Sequence, residues 1–428
     1  MIFKNITILD ENFEIQENMN VQIKGDRILR ISNEMIVSDC EEEYDGHGKL
    51  LMPGFFNIHA HSPMTLMRGY AENYNLQDWL SKKIFPFEAH LDPNAVYWGT
   101  MLAMAESLRF GIVSSTDMYY FLEDMIRAVS DAKCKDNISF AVTQFDESNP
   151  KELSGYKETV DIFNKFNNSY SEKIKIDCSL HAEYTSKPWT VEAVSDFARE
   201  VNANMHIHIS ETAKEHNECL ARYGMTPVAY FNKYGALDTR ATLAHCVHID
   251  DNDIEILKSK DVTVASNPIS NLKLASGVCN VPKLLKNGIS VGIRTDSVAS
   301  NNSLNFIEEI KVFSMVSKMM YNDPTAVTPK EALYSATRVG ALSQGRIDSG
   351  LLKEGYKADL IVIDIDKPNM MPTYDLRNNI VFSSSGSDVV MTMVDGEILY
   401  KDSEYTSIDL EKTIYEVDKA RKEILLKL

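Results

Sequence analysis

Paired cysteines are what this sequence most clearly lacks. Its six cysteines, Cys40, Cys134, Cys178, Cys219, Cys246 and Cys279, lie far apart with no Cys-x-x-Cys spacing. That scatter speaks against a disulfide frame and predicts buried, reduced thiols in a cytoplasmic protein. Positive charge is scarce as well: 44 Lys and Arg face 62 Asp and Glu, a net charge of −18. A field of that sign repels phosphate backbones and anionic lipid surfaces, so neither nucleic acid nor a membrane is an expected partner. No apolar run is long enough to span a bilayer. The opening MIFKNITILD alternates like a strand and has no basic region followed by an apolar one, so no secretory signal is expected. Low-complexity segments and Pro-rich linkers are missing too, and 428 residues with 44% hydrophobic content fit one large globular unit with a minor appendage.

What is present is a repeated alternation. Apolar segments of strand length recur between segments of helical period, as in βαβ units around a parallel sheet. The strands fall at residues 50–59, 111–117, 137–146, 174–181, 204–210, 241–248, 261–268 and 289–296, with helical stretches such as 93–110 and 190–201 between them. Eight such repeats in roughly 300 residues match a closed (β/α)8 barrel, an α/β fold. The flanks differ. Residues 1–49 and 352–404 hold short alternating segments that are too short to bury separate cores, and so predict a small composite β-sandwich built from both ends around a barrel over 50–351. Residues 405–428 mix Ile408, Leu410, Ile414, Val417, Ile424 and Leu425 with charges, the pattern of an amphipathic C-terminal helix.

Side chains able to bind metal sit at the carboxyl ends of these strands, where barrel enzymes assemble their sites. His59 and His61 are two apart, so on an extended backbone both imidazoles project to one side and can hold one ion. His208 ends the fifth strand and Asp296 the eighth, adding a third nitrogen and a hard oxygen. Three His and one Asp leave an open position for water, as a catalytic zinc site requires. His206 shares a face with His208 one layer lower and reads as core.

The segments MPGFFNIHAHSPMTLMRG, HIHISETAKE, LAHCVH, SNPISNLKL and RTDSVASNNSLN closely resemble the amidohydrolase superfamily. Within it they resemble the branch of 5′-methylthioadenosine and S-adenosylhomocysteine deaminases and related chlorohydrolase-like enzymes. The likeness runs from about residue 1 to residue 405. It implies that His59, His61, His208 and Asp296 hold one divalent metal, zinc, and that the activity is release of ammonia from an adenine nucleoside. The metal would bring its water toward a pKa of ~7 for attack on the amine-bearing carbon. Asp296 would take the proton, Glu211 would protonate the neighbouring ring nitrogen, and His245 would orient the hydroxide. His181 is similar to a family histidine that touches the nucleoside, and Trp79 and Glu88 match positions that pack on and hydrogen-bond the ribose; Glu211 and Asp296 also face the substrate. Three positions depart from the family pattern: Glu183 stands where Pro is usual, and Arg294 and Ser297 where Gly is usual.

Other readings remain open on the sequence. A triazine hydrolase of the chlorohydrolase kind, or a deaminase of another purine or a pterin, would use the same ligands. A cyclic-amide hydrolase needs a modified lysine bridging two metals, but Lys173 and Lys175 lie at the start of the fourth strand. A non-catalytic binding module is disfavoured by the full ligand set together with Glu211 and His245. A small-molecule substrate is expected, and homo-oligomerisation is compatible with the sequence.

Overall fold

The computed structural model describes residues 1–36 and 42–428; Cys40 lies outside the described residues. Two parallel sheets line a (β/α)8 barrel. One runs in the order Phe55–Ala60, Ile112–Tyr119, Lys135–Phe140 and Ile174–Ile176, the other Cys178–Leu180, Met205–Ile209, Ala241–His245, Val262–Ser266 and Ser290–Ile293. The fourth barrel strand, expected to be continuous over 174–181, is broken at Asp177. That carboxylate is buried and accepts from the side-chain amides of Asn137 (3.1 Å) and Asn204 (2.8 Å), and the backbone changes partner there, the Asp177 amide donating to the Ile138 carbonyl and the Cys178 amide to the Asn204 carbonyl. The sheets meet at two seams, through the parallel bridges Val142↔Leu180 and Ala60↔Asp296. At the second seam the Asp296 amide donates to the His59 carbonyl at 3.2 Å, so barrel closure and the predicted ligands share the same backbone.

The strand expected over 50–59 is two strands. Lys49–Pro53 pairs with Ile2–Leu9 and with Leu360–Asp364, whereas Phe55–Ala60 enters the barrel. Gly54 makes the crossing. A Cβ there would lie 2.3 Å from Val113 Cγ1, so no larger residue lets the two layers approach. Among the described residues, strands of both termini join in one nine-stranded sheet. Its alternation explains its place: Leu360 and Val362 face a separate apolar core with Phe3, Ile6, Val21 and Met391, while Ile361 and Ile363 turn toward the barrel's core.

The last helix runs Leu410–Leu425 and packs on Pro93–Arg109. Its buried contacts include Ala420 and Ile424, whereas Ile414, expected on the apolar face, is exposed. No described helix is long and apolar enough to cross a membrane.

Lys135 ties the barrel to the terminal sheet. Its ammonium is buried 2.6 and 2.7 Å from the two Asp359 oxygens and 2.6 Å from Asp395 Oδ1. Removing one partner of such a pair leaves uncompensated charge in the interior, a loss of about 3–5 kcal/mol. Lys135→Met is therefore expected to lower the Tm by several degrees and to shift the denaturant midpoint accordingly. A change in stability below about 1 kcal/mol would show that the pair is not a structural tie.

Candidate metal centre and active site

The predicted ligands converge at the carboxyl ends of the strands. His59 lies in Phe55–Ala60; His61 follows it and starts a short 3-10 turn, Ser62–Met67, whose first amide donates to Asp117 Oδ1 at 2.9 Å. His208 comes from Met205–Ile209 and His245 from the end of Ala241–His245. Asp296 follows Ser290–Ile293. His245 and Asp296 both adopt left-handed backbone, φ 76° and 62°. Such conformations cost a non-glycine residue of order 1–3 kcal/mol and concentrate at functional sites. Here they turn the chain at the strand end and aim each side chain across the barrel mouth.

Nε2 of His59 and Nε2 of His61 each lie 3.5 Å from Asp296 Oδ1. A tetrahedral ion with bonds near 2.0–2.1 Å separates neighbouring donors by about 3.4 Å, which is the spacing found. His59, His208 and His245 form a second group whose donor atoms lie within 4.8 Å of one another. His59 Nε2 is fully buried and has no hydrogen-bond partner among the described residues, a loss that a metal bond removes. The opposite nitrogens are anchored. His61 Nδ1 faces the Met118 carbonyl and His208 Nδ1 the His181 carbonyl, both at 2.7 Å. A carbonyl only accepts, so each ring holds its proton on Nδ1 and offers an Nε2 lone pair. The residues present fit a divalent ion.

Burial keeps His59, His206 and His245 neutral. Burial lowers the pKa of His59, His206 and His245 well below the usual histidine value, and the nearby Arg294 lowers it further. Arg294 lies in the barrel interior; its guanidinium is fully buried without a hydrogen-bond partner among the described residues, and burial pushes it down to about 9. Glu211 is pushed up to about 8 by burial, with Asp296 adding to the shift. Its Oε1 accepts from Ser276 Oγ at 3.1 Å, and its Oε2 is 3.4 Å from His245 Nε2.

A cleft opens above these groups, lined by apolar and aromatic side chains together with the site's polar groups. Trp79, Glu88 and His181 all line it. Trp79 is anchored by its indole N–H to the Ala71 carbonyl at 3.2 Å. It sits in a helical run whose middle, Leu80–Ile84, is a π-helical turn the sequence did not reveal; that turn lies between Trp79 and Glu88. Burial raises the Glu88 carboxyl to about 7 and lowers His181 to about 4.

Sequence reasoning missed the residues that hold these groups. His206, read as core, places Nε2 2.6 Å from His59 Nδ1 and is the partner that orients that ring. Glu215 accepts from the amides of Ser210 (2.7 Å) and Glu211 (2.8 Å) and so fixes the turn that carries Glu211. Asn267 and Ser270 donate to Asp296 Oδ2 at 2.9 and 2.8 Å. The signal for them was the run of Ser and Asn in SNPISN, amide- and hydroxyl-rich where a barrel loop would otherwise need only turn residues. Of the departures, Glu183 is buried and paired with Arg222, and the Ser297 amide donates to Asp296 Oδ1 at 2.9 Å.

Residues 50–399 match the amidohydrolase family. A 5-methylthioadenosine/S-adenosylhomocysteine deaminase of Dictyoglomus thermophilum is 38% identical over 427 residues, covering 100% of this chain and 99% of that protein. A 5′-deoxyadenosine deaminase of Methanocaldococcus jannaschii is 38% identical over 416 residues, covering 96% and 97%. The crystal structure of an adenosine deaminase from Xanthomonas campestris with bound zinc superposes with a TM-score of 0.93 at 25% identity, covering 99% of this chain and 98% of that one. Family match, full-length relatives and a shared barrel agree: this chain belongs to the amidohydrolase family.

Proposed function

We propose that the chain is a hydrolytic deaminase that converts the 6-amino group of an adenine nucleoside to a carbonyl and releases ammonia, with one zinc ion per subunit. The observation that carries this reading is the pairing of Glu211 and His245, 3.4 Å apart, beside the donors His59, His61, His208 and Asp296 in one aromatic-lined cleft. It is supported by the full-length relatives, whose names place their substrates among 5′-substituted adenine nucleosides. The barrel is the catalytic unit on this reading, and the composite terminal sheet its scaffold.

When bound by these four residues, a divalent ion supplies a deprotonated water near neutral pH. The side chains do the rest. Glu211 holds a proton and delivers it to the ring nitrogen beside the attacked carbon, which makes that carbon electrophilic. The His245 imidazole steers the attacking oxygen and steadies the charge that develops on it. Asp296 receives one proton of the attacking water and returns it to the departing amine, and the other leaves the oxygen as the carbonyl forms and restores the Glu211 acid, so water and nucleoside yield the 6-oxo nucleoside and ammonia. Trp79 packs on the sugar, Glu88 accepts from its hydroxyls, and His181 touches the base. A cyclic-amide hydrolase is disfavoured by geometry: Lys175 lies in Ile174–Ile176, at the opposite end of the barrel from His181. The enzyme works as a cytoplasmic protein on this reading, given its reduced thiols and strongly negative charge.

Three expectations follow from these assignments. His61→Ala should lose zinc, measured by elemental analysis, together with turnover; full occupancy with normal turnover would contradict the ligand assignment. Glu211→Gln should keep the metal yet lose about 10²- to 10⁴-fold in kcat, because the carboxamide cannot deliver the proton. A loss below threefold would leave Glu211 as a helix-end acid.

The third concerns the 5′ group. Among the described residues, no Lys or Arg lines the cleft, and Val142 to Lys165 contains no arginine. A charge-assisted hydrogen bond to an amino-acid carboxylate is worth roughly 1.5–3 kcal/mol, so its absence removes about 10- to 100-fold in selectivity. 5′-Methylthioadenosine, 5′-deoxyadenosine and adenosine should each exceed S-adenosylhomocysteine in kcat/KM under one condition. A clear preference for S-adenosylhomocysteine would refute the charge argument and leave the deaminase reading standing.

A further inference from the structure

We propose that Asn271 is a positioning residue that fixes the proton of His245 on Nε2, giving this imidazole the tautomer opposite to that of the metal-binding rings beside it. The side-chain amide nitrogen of Asn271 lies 2.9 Å from His245 Nδ1, and both residues are buried. An amide nitrogen donates two hydrogens and offers no lone pair, so Nδ1 must accept. A proton on Nδ1 would set N–H against N–H, which rules out both the Nδ1–H tautomer and the imidazolium. The remaining proton sits on Nε2, the atom 3.4 Å from Glu211 Oε2.

His61 and His208 show the contrast. Their Nδ1 atoms face backbone carbonyls, so their protons lie away from the centre and their Nε2 lone pairs face it. Two donor groups are geometrically open to an ion, one with His61 and Asp296 and one with His208 and His245. With hydrogen on Nε2, His245 has no lone pair to give. It stays outside the coordination shell and is left as a hydrogen-bond donor beside it. This rests on the deaminase reading for its purpose, since a donor at that point is what an attacking oxygen needs, but the tautomer itself follows from Asn271 alone.

The surrounding segment is built for this task. The helix Pro268–Lys273 begins after Asn267, and the Asn271 amide N–H is tied to the Asn267 carbonyl at 3.0 Å. The Ser276 amide returns to the Asn271 carbonyl at 2.9 Å. Within one stretch, Asn267 and Ser270 hold Asp296, Asn271 holds His245, and Ser276 holds Glu211 at 3.1 Å. Three acid–base groups from three different strand ends thus take their orientation from ten consecutive residues.

The direct test is long-range 15N–1H correlation on the zinc-loaded protein labelled at its ten histidines, with His245 assigned by its loss in His245→Gln. An unprotonated Nδ1 and a protonated Nε2 are expected; Nδ1–H on His245 overturns the proposal whatever the substrate proves to be. The kinetic arm compares Asn271→Ala with Asn271→Asp. Aspartate keeps the shape but only accepts, so it draws the proton to Nδ1 and strips Nε2. Its kcat should fall about tenfold further than that of the alanine variant, with KM within about threefold. A purely structural role predicts the reverse order, because the isosteric residue would be the milder change, and that order would overturn the proposal. If Asn271→Asp does not fold, the correlation experiment on the wild-type protein decides alone.

Discussion

An imidazole can bind a metal or donate to a substrate with the same Nε2 atom, and only the partner of its other nitrogen decides which. The active end of this barrel depends on that constraint. His61 and His208 are committed as lone-pair donors by backbone carbonyls at 2.7 Å, and those carbonyls belong to Met118 and His181, residues at the ends of neighbouring strand segments. The parallel barrel therefore does more than gather side chains: the strand next door supplies the acceptor that sets each ring's chemistry. The seam at Ala60 and Asp296 adds the carboxylate, held by Asn267, Ser270 and the Ser297 amide, so that one oxygen faces both His59 and His61.

Charge beneath the site bears on the same constraint. The Arg294 guanidinium is buried without a hydrogen-bond partner among the described residues. Burying a cation in this way is costly. Its field opposes protonation of His59, His206 and His245, and keeping those rings neutral keeps their nitrogens available. The Asp296 carboxylate acts in the other direction and favours the guanidinium's charge. Glu183 pairs through Oε1 with Arg222 from the helix Ala213–Tyr223, yet burial still raises its carboxyl above the usual value.

The barrel was legible because its signal is local: apolar runs of strand length, turned into helices at regular intervals, require no knowledge of what they pack against. The break at Gly54 was not, since apolar residues run on both sides of it from Leu50 to Phe56 and only the approach of Val113 separates one sheet's strand from the other's. The proposed metal ligands were readable from residue type and strand-end position together with family likeness. The residues that orient them were not. His206 looks like an interior ring until His59 Nδ1 is placed 2.6 Å away, and Asn271 becomes informative only once His245 lies across from it. Hydrogen bonds between loops 20 to 240 residues apart leave no periodicity in a sequence. The π-helical turn Leu80–Ile84 was hidden for a related reason, since its side chains fit an ordinary helix and only the backbone register differs.

The proposed reaction is the replacement of the 6-amino group of an adenine nucleoside by water at a single metal centre. Its most direct measurement is product identification: zinc-loaded protein incubated with 5′-methylthioadenosine, with ammonia quantified enzymatically and the nucleoside analysed by mass spectrometry. One ammonia per nucleoside consumed is expected, with a product about one mass unit heavier that keeps its sugar, in proportion to bound zinc up to one ion per chain. Release of free adenine, or substrate left intact by fully zinc-loaded protein, would contradict it.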